Sequence, residues 1–267
     1  MRGKPNYTHI FWDWNGTLLD DADYCIATVN KSLRKRSMPL LTRERYWQIF
    51  RFPIIEYYKD LGFDFDKEPY ELLAEEYTAN YAANNRDLPL RKEVKEVLSV
   101  FRSKNIPQII LSASERIVLT DALEMYGIDK YFSDVLCTDN CLAEGKIAYG
   151  KKFADSLPND SKILLVGDTE HDLETADAIG ADCVLVRGGH TSDEKLESLP
   201  AKAVVSSLHE LYPIVFGEEK KKKVSSSPVG AAERRSFDLE EAEPKTFAVR
   251  YKAFYDDLKN TNKTEDW

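Results

Sequence analysis

The first apolar run, His9-Ile10-Phe11-Trp12, stops at Asp13 and has the length of a buried strand. Asn15-Gly16-Thr17 then reads as a turn. Between residues 21 and 36 the period changes, with Ala22, Ile26, Val29 and Leu33 at helical spacing and Pro39 as a stop. Thr42 is placed to cap a short helix carrying Tyr46, Ile49 and Phe50. Pro53 predicts the start of another that ends at Gly62. A longer helix begins near Pro69, with Tyr70, Leu73, Tyr77 and Tyr81 on one face. No strand signal occurs between residues 20 and 88, so this stretch predicts an all-helical insert.

After Pro89 the pattern alternates between helix and strand. Val94, Val97, Leu98 and Phe101 mark a helix, with Asn105 beyond its end. Residues 106–111 form an apolar run broken only by Pro107 and Gln108, followed by Ser112-Ala113-Ser114. A helix with Leu119, Leu123 and Tyr126 ends at Gly127, and another runs from about Asp172 to Gly180. Short strands are predicted at 135–137, 163–166, 184–186 and 203–205. Strands alternating with helices imply an α/β fold, a doubly wound parallel sheet covered on both faces. The predicted organisation is a core of residues 1–19 and 89–216, a helical cap of 20–88, and a polar, low-complexity, disordered tail of 217–267. Within that tail, residues 247–258 could form one terminal helix, and Lys220, Lys221, Lys222 and Lys223 read as solvated charge.

Charge sharpens this division. The chain of 267 residues has a net charge of −9, and the tail holds equal numbers of acidic and basic residues, so the body is the acidic part. Such a body repels anions and does not suggest nucleic-acid binding; a phosphate site on it needs a local cation. Cys25, Cys137, Cys141 and Cys183 are scattered and lack zinc spacing, so reduced thiols are expected. No apolar leader region or membrane-length stretch is found, and a cytoplasmic, membrane-free protein is expected.

The chemistry gathers at strand ends. In an open parallel sheet, ligands bind outside the carboxyl ends of the strands, where strand order reverses. Asp13 and Asn15 follow the first strand, Ser112 follows the second, Lys146 lies in the loop beyond the strand at 135–137, and Asp168 and Asp172 follow the strand at 163–166. Repulsion and desolvation both oppose crowded carboxylates, and a hard cation such as Mg²⁺ resolves that conflict with oxygen ligands. Taken alone, Asp168 and Asp172 could also serve as helix-start caps.

Four motifs in order carry a family resemblance. Phe11-Trp12-Asp13-Trp14-Asn15-Gly16-Thr17-Leu18, Ile109-Ile110-Leu111-Ser112, Gly145-Lys146 and Gly167-Asp168-Thr169-Glu170-His171-Asp172 resemble the motifs of the haloacid dehalogenase superfamily. The helical insert resembles that of its phosphoglycolate-phosphatase-like branch. The resemblance implies a Mg²⁺-dependent phosphatase of small phosphorylated metabolites, working through an aspartyl-phosphate. It implies Asp13 as nucleophile, and Asp13, Asp168, Asp172 and the backbone carbonyl of Asn15 as metal ligands. Ser112, Ala113 and Thr17 would hold the phosphate, and Lys146 would neutralise the transferring group. Lys151 is a rival for that role; Lys146 lies nearer the family spacing.

One departure matters. The family's usual acid two residues after the nucleophile is Asn15 here. An amide cannot deliver a proton, and general acid–base help is worth about 10²–10⁴-fold. Loss of that help weighs most on alkyl esters and least on acyl and aryl phosphates. The readings left open are a slow or selective phosphatase whose substrate leaves easily or which is helped by Asp20, Asp21 or His171, a general small-molecule phosphatase despite Asn15, a catalytically weak metal-binding scaffold, or a phosphotransferase such as a phosphomutase. Arg51, in a turn between cap helices, is a candidate to hold a substrate carboxylate or second phosphate, with Arg116 a weaker one. His190 and His209 read as ordinary loop and surface residues, and nothing in the chain fixes the oligomeric state.

Overall fold

The computed structural model describes residues 4–84, 88–140, 142 and 146–217. Six strands form one parallel sheet: β1 (His9–Trp12), β2 (Gln108–Glu115), β3 (Asp134–Thr138), β4 (Ile163–Gly167), β5 (Asp182–Val186) and β6 (Ala203–Val205). They lie in the order β3-β2-β1-β4-β5-β6, so the strand order reverses at β1. Phe11 pairs with Ile109 on one side and Leu165 on the other, and Trp12 with Ile110 and Val166, so Asp13 follows β1 beside the residues after Ile110 and Val166. The crevice at that reversal is where a doubly wound sheet offers a ligand site.

Both faces of the sheet are buried, and the period of two is still visible in which face each residue joins. Ile10 and Trp12 pack with Leu98 and Phe101, whereas Phe11 packs with Ile109, Leu111, Leu165 and Leu185. Helices α1 (Ala22–Lys35), α2 (Arg43–Ile49), α3 (Ile54–Asp60) and α4 (Tyr70–Asn84) lie between β1 and β2. They share a separate cluster that includes Ile26, Leu33, Tyr46, Tyr57 and Leu73. The chain enters and leaves this insert side by side, through an antiparallel bridge between Leu19 and Leu90. The remaining helices are α5 (Val94–Ser103), α6 (Arg116–Tyr126), α7 (Ile147–Ala154), α8 (Glu170–Ile179), α9 (Asp193–Ser198) and α10 (Leu211–Phe216). No helix among the described residues is long and apolar enough to cross a membrane.

Several element ends differ from expectation. Phe50 lies just past α2 in extended conformation, and Pro53 is the N-cap of α3 rather than its first helical residue. The second strand starts at Gln108, because Pro107 has no N–H for a ladder; its carbonyl accepts from Ile10 N at 3.0 Å. The strand continues through Ser112-Ala113-Ser114 to Glu115; its pairing with β3 is irregular between Leu111 and Glu115 and resumes where Glu115 meets Thr138. α7 carries no early signal because Gly150 interrupts it. A Cβ there would sit 2.8 Å from Leu111, so close packing, not propensity, selects the glycine. Gly145, Cys141 and the tail from residue 218, with the helix expected at 247–258, lie outside the described residues.

Candidate active site

Asp13 is positioned by β1, its N–H donating to Val166 O at 2.9 Å across to β4. Asp168 and Asp172 follow β4 at the same sheet edge. Carboxylate oxygens of Asp13, Asp168 and Asp172 lie within 4.8 Å of one another, and all three residues are buried. Lys146, the N-cap of α7, places its Nζ 2.5 Å from both Asp13 Oδ1 and Asp172 Oδ1. Lys151, one helical turn further along, is exposed. Three buried carboxylates therefore face one ammonium.

The electrostatic consequence is direct. Burial pushes the Asp13 carboxyl up to about 8, assisted by Asp172 and Asp168 and opposed by Lys146. Burial likewise raises Asp168, with His190 pulling the other way. Burial opposes the Lys146 charge, yet the two carboxylates hold the amine firmly protonated. A divalent cation suits this surplus of negative charge. Octahedral Mg²⁺ with oxygens at about 2.1 Å spans about 3 Å between neighbouring ligands and about 4.2 Å between opposite ones, so the three acids need to close only slightly. Asp172 is the most constrained of them. Its second oxygen accepts from Asp168 N, Thr169 N and Thr169 Oγ1 at 2.7–3.1 Å, which fixes the start of α8.

Glycine makes the crowding possible. Gly16 has φ +71°, and a Cβ there would lie 2.3 Å from Asp168 Oδ2. Thr17 belongs to the same support. Its buried hydroxyl donates to Asp168 Oδ1 at 3.0 Å, and Thr17 does not line the cavity above the site. Ser112 and Ala113 do line that cavity, with Ser112 Oγ accepting from Ser114 N.

Asn15 is held on both sides. Its Nδ2 donates to Asp21 Oδ2 at 2.6 Å and Tyr81 OH at 3.1 Å, while its Oδ1 accepts from Ser114 Oγ at 2.5 Å. Asp21 also accepts from Gly16 N and Tyr81 OH at 2.8 Å. Although burial alone would raise it, contact with His190 and these donors hold Asp21 down near 2. A charged carboxylate with its oxygens occupied is no proton donor. Of the other acids considered from sequence, Asp20 is exposed. His171 lines the cavity, stacks on Phe52 at 4.4 Å and is lowered by burial.

His190 is the residue that sequence reasoning missed. It is buried; its N–H donates to Asp168 Oδ2 at 2.6 Å, its Nδ1 meets Tyr46 OH at 2.6 Å, and its Nε2 lies 3.4 Å from Asp21 Oδ1. Burial opposes its charge, but Asp21 and Asp168 outweigh that and push it up to about 9. The pair Gly188-Gly189 before it was the only local hint. Arg51 moves the other way: its guanidinium pairs with Asp60 at 2.9 Å, is half exposed, and does not line the cavity. Arg116 likewise pairs with Asp139 at an exposed position.

A parallel six-stranded sheet with an acidic cluster and a buried lysine at its reversal point defines a doubly wound α/β core with a polar site at its switch point. The model of the haloacid dehalogenase-like hydrolases matches residues 10–186, and the chain belongs to that family. Among solved structures, a predicted phosphatase from Clostridium acetobutylicum is 19% identical with a TM-score of 0.67, covering 78% of this chain and 97% of its own. A predicted phosphoglycolate phosphatase from Haemophilus somnus is 17% identical with a TM-score of 0.60, over 78% and 97%. Protein Tyrosine Kinase A from Mycobacterium tuberculosis is 19% identical with a TM-score of 0.63, over 80% and 99%. Among the curated proteins compared, none matches. At such identities these likenesses establish the fold, on which both phosphatase and kinase names occur.

Proposed function

We propose that the protein is a Mg²⁺-dependent phosphatase of small phosphorylated metabolites with Asp13 as nucleophile. The observation that carries this reading is the Lys146 ammonium shared at 2.5 Å between Asp13 and Asp172, within a buried triad of carboxylates at the sheet's reversal point. A buried lysine braced in this way presents positive charge where a phosphoryl group would arrive.

Asp13 Oδ attacks phosphorus in line; the bond from phosphorus to the leaving oxygen breaks, and the electron pair departs on that oxygen. Water then cleaves the aspartyl-phosphate, restoring Asp13 and releasing inorganic phosphate. Lys146 offsets the charge on the transferring group, and Ser112 with the backbone at Ala113 orients it. Asp13, Asp168 and the Asn15 carbonyl would hold the metal, with Asp172 acting directly or through water. The bound ion supplies positive charge that offsets repulsion between the carboxylates and the phosphate. His190 and Thr17 keep Asp168 in place.

The test is turnover of acetyl phosphate and p-nitrophenyl phosphate with and without Mg²⁺. Asp13→Asn should lower kcat by at least about 10⁴-fold. Equal rates would refute the nucleophile. Mg²⁺ binding with no turnover would instead favour the metal-binding scaffold.

A further inference from the structure

The cavity above Asp13 runs into the helical insert and has a volume of about 180 Å³. Eight Phe and Tyr rings line it, so aromatic carbon, not charge, dominates its wall. The rings form a linked series: Tyr46–Phe50 at 4.7 Å, Phe50–Tyr57 at 5.4 Å, Tyr57–Tyr58 at 5.2 Å and Tyr58–Tyr70 at 6.2 Å between centroids. Those separations are the ones ring pairs prefer, and an added ring meets edges and faces on several sides. A cavity of about 150 Å³ suffices for benzene, so this one has the size for a single ring beside the reacting centre.

The charges lining it are equally telling. Among the described residues the only Lys or Arg is Lys146, already engaged by Asp13 and Asp172. Arg51 is turned to Asp60. The other cationic lining group, His190, faces Asp21 at 3.4 Å and Tyr46 at 2.6 Å, so a carboxylate or second phosphate on the substrate would be desolvated with no uncommitted cation among the described lining residues to receive it. Tyr57, 2% exposed, has a hydroxyl with no hydrogen-bond partner among the described residues. A buried hydroxyl left without a partner is costly, and a polar substituent on an occupant would satisfy it.

A second, chemical observation agrees. Asn15 is locked between Ser114 and Asp21 and gives no proton to the departing oxygen. A phenol, with pKa about 10, leaves without one far more readily than an alkanol, which resembles water at about 15.7.

Building on the phosphatase reading, we propose that the substrate is a phosphate monoester of a single uncharged aromatic ring, joined through a phenolic oxygen. Asp13 Oδ bonds to phosphorus as the P–O(aryl) bond breaks. The phenolate keeps the electron pair and takes its proton from water. Hydrolysis of the aspartyl-phosphate completes the sum: ester plus water gives phenol plus phosphate.

Binding and turnover test this separately. In calorimetry with Mg²⁺ present, phenylphosphonate should bind at least about 10-fold tighter than methylphosphonate or phosphonoacetate. Phenyl phosphate should turn over at least about 100-fold faster than cyclohexyl phosphate, which matches it in bulk but leaves as an alkoxide. Ala74→Leu, which narrows the cavity, should lower the preference for phenyl over acetyl phosphate about 10-fold. If acetyl phosphate is hydrolysed but phenylphosphonate binds no better than phosphonoacetate, the ring site is overturned and the phosphatase stands. If phenylphosphonate binds selectively and nothing is hydrolysed, the ring site stands and the phosphatase reading falls. If neither occurs, both fall. Should Ala74→Leu fail to fold, the comparison of phosphonates on the unaltered chain decides.

Discussion

The sheet edge and the helical insert meet at one cavity, yet they are built on opposite principles. At the edge, Asp13, Asp168 and Asp172 are packed against one another and against glycine, with one lysine to offset them. That arrangement sacrifices stability for a fixed charge pattern, as reactive sites do. In the insert, Leu33, Tyr46, Tyr57 and Leu73 bury carbon against carbon, and ion pairs decorate the outside. On the proposed reading, the edge supplies the reaction and the insert selects the reacting molecule. The two should also fail differently when altered.

The sharpest break is Gly16→Ala. A Cβ at φ +71° and 2.3 Å from Asp168 Oδ2 strains backbone and carboxylate together. The cost should be about 3–4 kcal/mol. Activity should fall at least about 100-fold from misplacement of Asp168. Urea unfolding and kcat check both. A mild loss in both would mean that the edge is looser than drawn.

Leu33→Ala acts on the other side of the comparison. Leu33 is fully buried in the insert's own cluster, so removing its branch should cost about 3 kcal/mol. With Asp13, Lys146 and Asp168 untouched, Mg²⁺ affinity should change little, while the aromatic cavity loosens. A calorimetric loss of Mg²⁺ binding as large as that for Gly16→Ala would erase the distinction between the regions.

Asn15→Asp joins the two regions, because the side chain at 15 touches Asp21 and Tyr81. It sets a second carboxyl 2.6 Å from Asp21 Oδ2, so one of the pair must hold a proton. Stability should fall by about 1–3 kcal/mol. That proton becomes available to a departing oxygen, and alkyl phosphate rates should rise relative to aryl ones. Unchanged relative rates, measured on phenyl and cyclohexyl phosphate, would show that the amide is not what limits alkyl substrates.

The smallest effect is expected at the surface of the insert. Glu76 receives Arg36, Lys35 and Ser32. Burial opposes its ionisation, but these partners outweigh it and hold the carboxyl down near 2. A depressed carboxylate stabilises the fold above its unfolded value near 4.5, and that contribution is lost as pH falls towards 2. Allowing for solvent screening, it amounts to about 1 kcal/mol. Thermal melts of the parent and Glu76→Gln should differ at pH 7 and converge between about pH 4.5 and 2. A gap that persists at low pH would rule out the ion pairs as its source.

Much was legible in the chain itself because the physics concerned is local. An apolar run ending in Asp13 is a strand with an acid at its tip, whatever surrounds it. The helical spacing of Ala22, Ile26, Val29 and Leu33 required no partner to be read, and the alternation after Pro89 already implied a parallel sheet. Lys146, Asp168 and Asp172 could be placed at one edge because every strand of such a sheet ends there.

Side chains far apart along the chain were decided only by tertiary structure. His190 carries no local sign beyond the preceding Gly188-Gly189, yet a backbone N–H on Asp168 and a ring between Tyr46 and Asp21 make it part of the edge. Arg51 had the right chemistry in the right loop, and the nearer charge of Asp60 took it. Tyr70, Tyr77 and Tyr81 show in the sequence as one helix face because periodicity reports which face is apolar. It cannot report that rings from separate helices leave a ring-sized space between them. Distance between such side chains is set by how helices cross, a property of the folded whole that no short window of sequence contains.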